Sequence, residues 1–241
     1  MSVDLVIQYL VSRAFVHGAL TTLWLTVCAL AFGIIIGLMI ALLQETRTRV
    51  GQYLTLAYLW LFRGTPVLFQ IIFIYNVLPS FGIRLSAFVS GVLALSLNEG
   101  AYMAEILRSG LQAVKSGQRT AAIALGMKGS QVMRHVVIPQ AARIVLPPIG
   151  NQMIGMLKLS ALVSVIAVED LLLVANQTAS SNFKYFEALT AAGIYYLGLT
   201  TIFMILQSLL ERSLDPKSRA RMRRMSLTER LLQAPGRQIV R

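Results

Sequence analysis

A run of 26 residues without a single charge, residues 18–43, sets the strongest limit on what this chain can fold into. A helix needs about 20 apolar residues to cross the hydrocarbon core of a bilayer, so this run is long enough to span it. The chain as a whole is 56% hydrophobic and 13% charged, whereas a soluble domain carries about 25% charged residues. The sequence therefore predicts an integral membrane protein and excludes a soluble or disordered one.

Four further apolar stretches follow the first. They are residues 51–79, 85–107, 144–168 and 188–210. The second is interrupted by Arg63-Gly64-Thr65-Pro66. Because a helix satisfies its own backbone hydrogen bonds, it is the form such spans take in lipid. We predict an all-α fold with five transmembrane helices, which places the two termini on opposite sides.

The distribution of Lys and Arg predicts the orientation of these spans. Of the 22 basic residues, 17 lie in the connections on one side, counted over residues 44–50, 108–143 and 211–241. The other side has three, Arg13, Arg84 and Lys184. Cytoplasmic loops carry the excess of basic residues, so we expect the N-terminus outside and the C-terminus in the cytoplasm. The net charge of +12 is explained in this way, and no nucleic-acid partner is expected.

The connection at residues 108–142 is long and amphipathic. Its apolar residues recur at near-helical spacing: Leu111, Val114, Ala121, Ala122, Leu125, Val132, Val136 and Ile138. We expect a short helix after Gly117, a turn at residues 126–129, and a second helix that Pro139 ends. Such a helix-turn-helix is a docking element for a protein partner, or it lies on lipid headgroups.

Residues 117–126 and 136–141 of this connection resemble the EAA loop of ABC importer permeases. The family pattern is Glu-Ala-Ala, three residues, Gly, nine residues, then Ile-x-Leu-Pro. Here Gly126 falls three residues after Ala122, and Val136 falls nine residues after Gly126. Thr120 stands where the family has Glu. The resemblance implies that an ATPase docks on the loop, through Gly117, Thr120, Ala121, Ala122, Gly126, Ile138 and Pro139.

Three other segments are similar to the polar amino acid branch of that family, which includes permeases for histidine, glutamine and arginine. They are the segment RGTP at 63–66, AYMAEILR at 101–108 and LVSVI at 162–166. The resemblance covers residues 15–212 and implies the type I permease fold. It also implies a second permease subunit, identical or paralogous, around a central pathway. An ATPase dimer and a periplasmic or extracellular solute-binding protein complete the expected assembly.

The chain has no phosphate-binding G-x-x-x-x-G-K-[ST] loop. We therefore expect no enzymatic activity and no cofactor in this chain, with ATP and Mg bound by the partner ATPase. Residues 1–212 are predicted to form the transmembrane permease domain, and residues 213–241 a basic cytoplasmic tail. That tail is expected to bind the anionic lipid headgroups of the inner surface.

Polar residues at membrane depth are candidates for function, because burying them in lipid is costly. The candidates for substrate binding are Asn98, Glu99, Asn151, Gln152, Lys158 and Ser160. At about 1.5 Å of rise per residue, Glu99 is level with Asn151 and Gln152. Asn151 and Lys158 share a helix face, which we expect to line the pathway opposite Asn98 or Glu99. Alternatively, Asn98, Asn151 and Ser160 only hydrogen-bond between helices.

The fourth apolar stretch departs from the family pattern after Lys158. The family commonly has Lys-Asp-Thr-Ser where this chain has Lys158-Leu159-Ser160-Ala161, and the missing acid puts recognition of a cationic side chain in question.

Arg63 either lies near the inner surface, with Pro66 opening a new helix, or pairs with Glu99. Gly33 and Gly37 form a G-x-x-x-G pattern that favours close helix contact.

These patterns predict the permease subunit of an ATP-driven importer in the bacterial inner membrane. Its substrates would be polar amino acids, or related small solutes such as opines, carried by alternating access. A membrane anchor for a cytoplasmic complex is a second reading, although uncharged spans would suffice for it. An intramembrane hydrolase would need a Ser–His or paired-Asp arrangement at membrane depth. Both histidines and all aspartates lie outside the predicted spans.

Overall fold

The computed structural model describes residues 2–46 and 48–214, and all regular structure within them is helical. The helices are α1 (Val3–Leu10), α2 (Arg13–Glu45), α3 (Arg49–Gly64), α4 (Val67–Val77), α5 (Ala87–Ala113), α6 (Ser116–Ala124), α7 (Gly129–Val132), α8 (Ile138–Leu159), α9 (Leu171–Asn182) and α10 (Tyr185–Leu214). Two 3₁₀ segments, Leu78–Phe81 and Ser160–Ile166, extend α4 and α8. The predicted all-α class is confirmed.

Three stretches are long and apolar enough to cross a membrane within the described residues: Arg13–Glu45, Gly129–Ile166 and Tyr185–Glu211. The pair α3 and α4 would make a fourth, although its axis bends by 102° at the break. The predicted third span lies in α5, which does not qualify on composition. At about 1.5 Å per residue, its 27 residues are nevertheless long enough to cross a bilayer.

Helix α5 is the centre of the molecule, and α2, α3, α4 and α8 pack around it. Its buried face carries Asn98 and Glu99 among small and apolar residues. Because neighbouring helices cover these groups, α5 does not need an apolar surface all round. This explains why its composition is more polar than that of a helix that faces lipid.

Helices α2 and α5 approach each other closely at glycines. A Cβ atom built on Gly33 would lie 2.8 Å from the Glu99 Cβ, and one built on Gly37 would overlap the Met103 side chain. On the α5 side, a Cβ on Gly100 would lie 2.6 Å from Ile36. Small residues let two helix backbones approach this closely. The close contact predicted from Gly33 and Gly37 is confirmed.

The chain breaks between α3 and α4 at Pro66. Thr65 is extended, and Pro66 is the N-cap residue that precedes the first turn of α4. The break leaves carbonyl groups at the end of α3 without helical partners. The side-chain amide of Gln70 donates to Phe62 O at 3.0 Å and to Thr65 O at 3.1 Å. The prediction that Pro66 opens a new helix is confirmed.

The long connection folds into a small unit with its own core. Val114, Ala122, Val132, Val137 and Ala141 are buried together. Gly126 has φ +83° and ends α6, a conformation that glycine adopts without strain. These contacts join α6, α7 and the start of α8.

The expectation that Pro139 ends a helix in this connection is wrong. The chain passes from α7 through a π-helical turn, Met133–Val137, directly into α8. Pro139 lies in the first turn of α8. The wider turn before it, in which the Ile138 N–H donates to Met133 O, accommodates the missing N–H and the bulk of the proline ring.

A separate buried cluster packs α1, α9 and the first turns of α2 and α10 together, with Phe15, Leu171 and Ala188 fully buried. Ser2 N donates to Glu187 Oε1 at 3.1 Å, and Leu171 N donates to Thr22 Oγ1 at 3.1 Å. The starts of α2 and α10 therefore lie at the same end of the bundle. The predicted tail at 213–241 lies outside the described residues from position 215 onward.

Candidate functional site: a polar cavity at the broken helix

A cavity of about 460 Å³ lies where the break between α3 and α4 faces α5 and α8. Its walls combine two charged residues with amides and apolar side chains. The lining residues are Arg63, Gly64, Thr65, Pro66, Val67, Asn98, Glu99, Tyr102, Gln152, Gly155, Met156 and Leu159. Three of the six predicted substrate-binding residues, Asn98, Glu99 and Gln152, meet here.

Glu99 is the most deeply buried charged residue of the cavity, with 2% of its surface exposed. Its Oε1 accepts a hydrogen bond from Gln152 Nε2 at 3.0 Å, which joins α5 to α8. Among the described residues Glu99 makes no salt bridge. A carboxylate held by a neutral amide in an enclosed site retains its attraction for a cationic group.

Asn98 stabilises the break between α3 and α4, in addition to lining the cavity. Its Nδ2 donates to Phe62 O at 2.9 Å and to Gln70 Oε1 at 3.2 Å. With Gln70, it replaces the main-chain donors that α3 loses at its end. Asn98 therefore makes the hydrogen bonds between helices that were the alternative to substrate binding, and it also lines the cavity.

Arg63 forms a salt bridge with Glu105, a pairing that the sequence did not predict. Its Nη1 lies 2.8 Å from Glu105 Oε2, and its guanidinium lies 5.4 Å from the centre of the Tyr102 ring. Both partners lie on α5, one and two turns beyond Glu99. Pairing with Glu99 is thus not what the structure shows. All three residues sit in motifs noted above, RGTP and AYMAEILR, but one sequence does not reveal that these motifs touch.

The other three predicted residues lie outside the cavity. Asn151 Oδ1 accepts from Gln207 Nε2 of α10 at 3.0 Å. Ser160 is buried and donates to Leu157 O, one turn back. Lys158 is exposed and makes no hydrogen bond or ion pair within the described part of the chain. The face shared by Asn151 and Lys158 is therefore not the one that meets Glu99, because Gln152 is rotated by 100° from Asn151 on α8.

Leu159 and Met156 form the apolar wall of the cavity, and the search for polar candidates missed them. Leu159 stands where the family commonly has Asp. Its place in the lining shows that this departure changes the chemistry of the cavity itself. The spacing from Gln152 to Met156 and Leu159, one and two turns along α8, was the available signal.

The long connection presents a separate surface. Ala122 is buried in its core, whereas Gly117, Thr120, Ala121, Gly126, Ile138 and Pro139 are exposed. Ile123 projects from α6, and Leu125, which directly follows that helix, is 84% exposed. Arg119 does not reach outward, since its Nη2 donates to Leu111 O at 2.8 Å near the end of α5. The unit is held internally and leaves apolar residues uncovered.

The cavity offers charged groups of both signs and neutral hydrogen-bonding groups. It contains a carboxylate, a guanidinium and amides, but none of the lining residues is a histidine, cysteine or serine. Nor do three potential metal ligands cluster anywhere in the described ranges. These groups suit reversible recognition of a charged polar solute.

Comparison with known proteins supports the same reading. Residues 33–216 match the family of binding-protein-dependent transport system inner membrane components. The chain is 37% identical to the arginine transport system permease protein ArgU of Corynebacterium glutamicum, over 88% of this chain and 71% of that protein. It is 35% identical to the glutamine transport system permease protein GlnP of Escherichia coli K12, over 82% and 91%.

Solved structures agree in fold. A crystal structure of an amino acid ABC transporter with histidines superposes with a TM-score of 0.82 at 42% identity, over 88% of this chain and all of that one. An inward-facing form of the MetNI methionine ABC transporter gives 0.74 at 18% identity, which shows the shared fold alone. The chain thus belongs to the binding-protein-dependent transport system inner membrane components, and its resemblance to the ABC importer permeases is confirmed.

Proposed function

We propose that this chain is the permease subunit of an ATP-driven importer that moves polar amino acids, or related solutes such as opines, across the inner membrane by alternating access. The observation that carries the proposal is the cavity around Glu99, in a chain whose relatives are named as arginine and glutamine permeases. Buried polar groups at this depth are costly unless they line a hydrated path or bind a solute. A membrane anchor would not need them.

Recognition in the cavity would use the two charges on its wall. The Glu99 carboxylate binds the ammonium group of the substrate, and its hydrogen bond from Gln152 weakens as it does so. Arg63 binds the carboxylate once its pair with Glu105 opens, and both side chains are accessible enough to rearrange. Asn98 keeps the break in place during this exchange. Lys158 and Asn151 would face the pathway between two permease subunits.

The proposed topology has five spans, with the N-terminus outside and the C-terminus in the cytoplasm. The first and fifth spans must then begin on the same side of the membrane. In support of this, the starts of α2 and α10 lie together at one end of the bundle. The bent pair α3–α4 and the central helix α5 are the second and third spans of this scheme.

The expected partners follow from the family. An ATPase dimer, which binds ATP and Mg, would dock on the long connection through the exposed Ile123 and Leu125 and the neighbouring Thr120, Ala121 and Ile138. A second permease subunit would complete the pathway, and a solute-binding protein would deliver the substrate. The chain itself would perform no ATP hydrolysis.

Uptake of labelled amino acids into proteoliposomes tests the proposal, with the ATPase and the binding protein present. Because a hydrogen bond to a charged group contributes about 1.5–3 kcal/mol, Glu99→Gln should lower uptake about tenfold or more. Glu45→Gln, at the exposed end of α2, removes the same charge outside the cavity and should leave uptake unchanged. Equal uptake by Glu99→Gln and the wild type would remove the cavity from the transport path.

A further inference from the structure

The short first helix, α1, has three distinct faces. Successive residues advance by 100° around a helix, so each face gathers residues three or four positions apart. Val6, Tyr9 and Leu10 pack on the protein, and Asp4 and Gln8 form an exposed polar face. Between these two faces runs an apolar stripe, Val3, Ile7 and Val11, whose residues are 54–74% exposed. A helix in water gains nothing from such a stripe.

Helix α1 is fixed to the bundle, so the stripe keeps its direction. Ser2 N bonds to Glu187 at 3.1 Å, and the Tyr195 hydroxyl donates to the Leu10 carbonyl. The Tyr9 ring stacks on Phe15 with the ring centres 5.6 Å apart. These contacts hold both ends of α1 against α2 and α10.

The level of α1 places it at a membrane boundary. It is bonded beside the starts of α2 and α10, and both of these helices are long and apolar enough to span. Helix α2 also carries exposed apolar residues at helical spacing in its first turns, Val16, Leu20 and Trp24. Arg13 and Lys184, both exposed, lie at the same level. Basic side chains at a span terminus reach toward headgroups while the neighbouring apolar side chains stay in lipid.

We infer that α1 is an interfacial anchor whose stripe of Val3, Ile7 and Val11 binds the lipid surface of the leaflet in which α2 and α10 begin. The packed face rests on the protein, the stripe enters the boundary between headgroups and acyl chains, and Asp4 and Gln8 face water. This is the arrangement of a helix that lies in the interface plane. The inference requires only that α2 and α10 cross the membrane, and it does not depend on the transported substrate.

Spin labels on the full-length chain test the inference directly. In a Cys28→Ser background, single cysteines replace Ile7 and Val11 on the stripe, and Asp4 and Gln8 on the polar face. The chain is reconstituted in vesicles of phosphatidylethanolamine and phosphatidylglycerol. Oxygen concentrates in the acyl region, whereas a nickel chelate stays in water. Labels at Ile7 and Val11 should be relaxed severalfold more by oxygen than by nickel, with the opposite order at Asp4 and Gln8.

Two results would overturn the inference. Equal nickel access at Ile7 and its neighbour Gln8 would show that the stripe faces water. A label at Ile7 that is shielded from both reagents would show that protein covers it. If Ile7→Cys fails to fold, Val3→Cys occupies the same stripe and replaces it in the comparison.

Discussion

Asp170 is a buried acid whose role is to begin a helix. Its carboxylate accepts the Leu173 N–H at 3.0 Å and the Leu172 N–H at 3.3 Å, which caps α9. The residue is fully buried, between the candidate spans Gly129–Ile166 and Tyr185–Glu211. Burial raises the pKa of Asp170 from its usual value near 3.8 to about 6, despite the opposing effect of those backbone hydrogen bonds. Its charge is therefore costly at neutral pH while its cap is favourable.

The stability of the folded chain should therefore depend on pH through Asp170. Since the folded pKa lies above the unfolded one, protonation favours the folded state, and stability increases as the pH falls from 7.5 toward 4. Asp170→Asn keeps a capping acceptor without the charge and should flatten this dependence. Asp170→Ala removes the charge and the capping acceptor together, so it should be about 0.5–2 kcal/mol less stable than Asp170→Asn at every pH. Thermal unfolding in detergent, followed by tryptophan fluorescence, measures all three.

The outcome is read from differences between variants, because other carboxylates also titrate in this range. A wild-type profile that is parallel to that of Asp170→Asn would contradict the assigned pKa. An Asp170→Ala variant as stable as Asp170→Asn would contradict the cap.

Replacing glycine with alanine should have opposite effects on stability at two positions, both within long apolar helices. Gly37→Ala places a methyl group against Met103 of α5, so the α2–α5 crossing must open, at a cost of about 1–3 kcal/mol. Gly193 lies in α10 with nothing within 4 Å of an added Cβ. Gly193→Ala should be neutral or stabilising by about 0.5–1 kcal/mol, because alanine loses less backbone freedom in a helix.

Thermal unfolding of the two alanine variants checks the contrast. Equal effects at the two positions would mean that the crossing is not as close as described. Gly33 gives an independent repeat, since its added Cβ would meet Glu99.

The structure brings three of the six predicted substrate-binding residues into one cavity, and their role in binding stays a prediction. Asn98, Glu99 and Gln152 could be singled out because polar groups at membrane depth need a reason. Lys158 and Asn151 attracted the same attention but lie away from the cavity. The direction of a side chain depends on helix rotation, which spacing within one helix cannot supply. The Arg63–Glu105 pair was missed for the same reason, since its partners are 42 positions apart.

At the scale of elements, the long connection separates into a core and a surface. The amphipathic pattern predicted its helices but could not tell which apolar residues face inward. Ala122 is buried with Val132 and Val137, whereas Leu125 and Ile123 are exposed. Changes at these two groups should therefore have different physical effects.

We expect Leu125→Asp to lower substrate-stimulated ATP hydrolysis in the assembled importer while leaving the melting temperature of the isolated permease unchanged. The substitution adds a charge to a surface that a partner must desolvate. Ala122→Trp should lower the melting temperature instead, because overpacking a buried position costs about 1–3 kcal/mol of stability. ATPase assays and unfolding curves on the same preparations distinguish the two effects.

Thr120→Ala serves as the matched control on this surface. Among the described residues its hydroxyl bonds to Ser116 O of its own helix, at 3.2 Å. A hydroxyl hydrogen bond nets only about 1 kcal/mol, so the change should alter both measurements far less than Leu125→Asp does. If Leu125→Asp kept full stimulation, the exposed end of α6 would not be the coupling surface.

At the scale of the whole molecule, the number of crossings decides where each loop lies. Five crossings would place residue 241 in the cytoplasm and the region near Ser180, in the last turn of α9, outside. A reporter that is active only in the cytoplasm should respond when fused after Arg241 and stay silent when inserted near Ser180. The same response at both positions would overturn the five-span topology.

The all-helical class and the positions of α2 and α10 were predictable because long uncharged runs allow few alternatives in a bilayer. The place of α5 was harder to define, since a helix surrounded by protein loses the apolar signature of a span. The right-angled bend at Pro66 and the passage through Pro139 into α8 depended on local backbone geometry. Proline marks both places but does not by itself tell a break from a continuation.

The contact between α1 and α10 also sets an order on biogenesis. Ser2 and Glu187 are 185 positions apart, and chain synthesis at about 5–20 residues per second takes roughly 10–40 s to cover that distance. Throughout this interval α1 has been made but its docking site on α10 has not. The interval is shorter for Gly33 and Gly37 of α2, whose partner helix α5 is synthesised much earlier than α10. Helix α1 must therefore exist before its docking site does, and the end of the bundle where α1 meets α10 closes last.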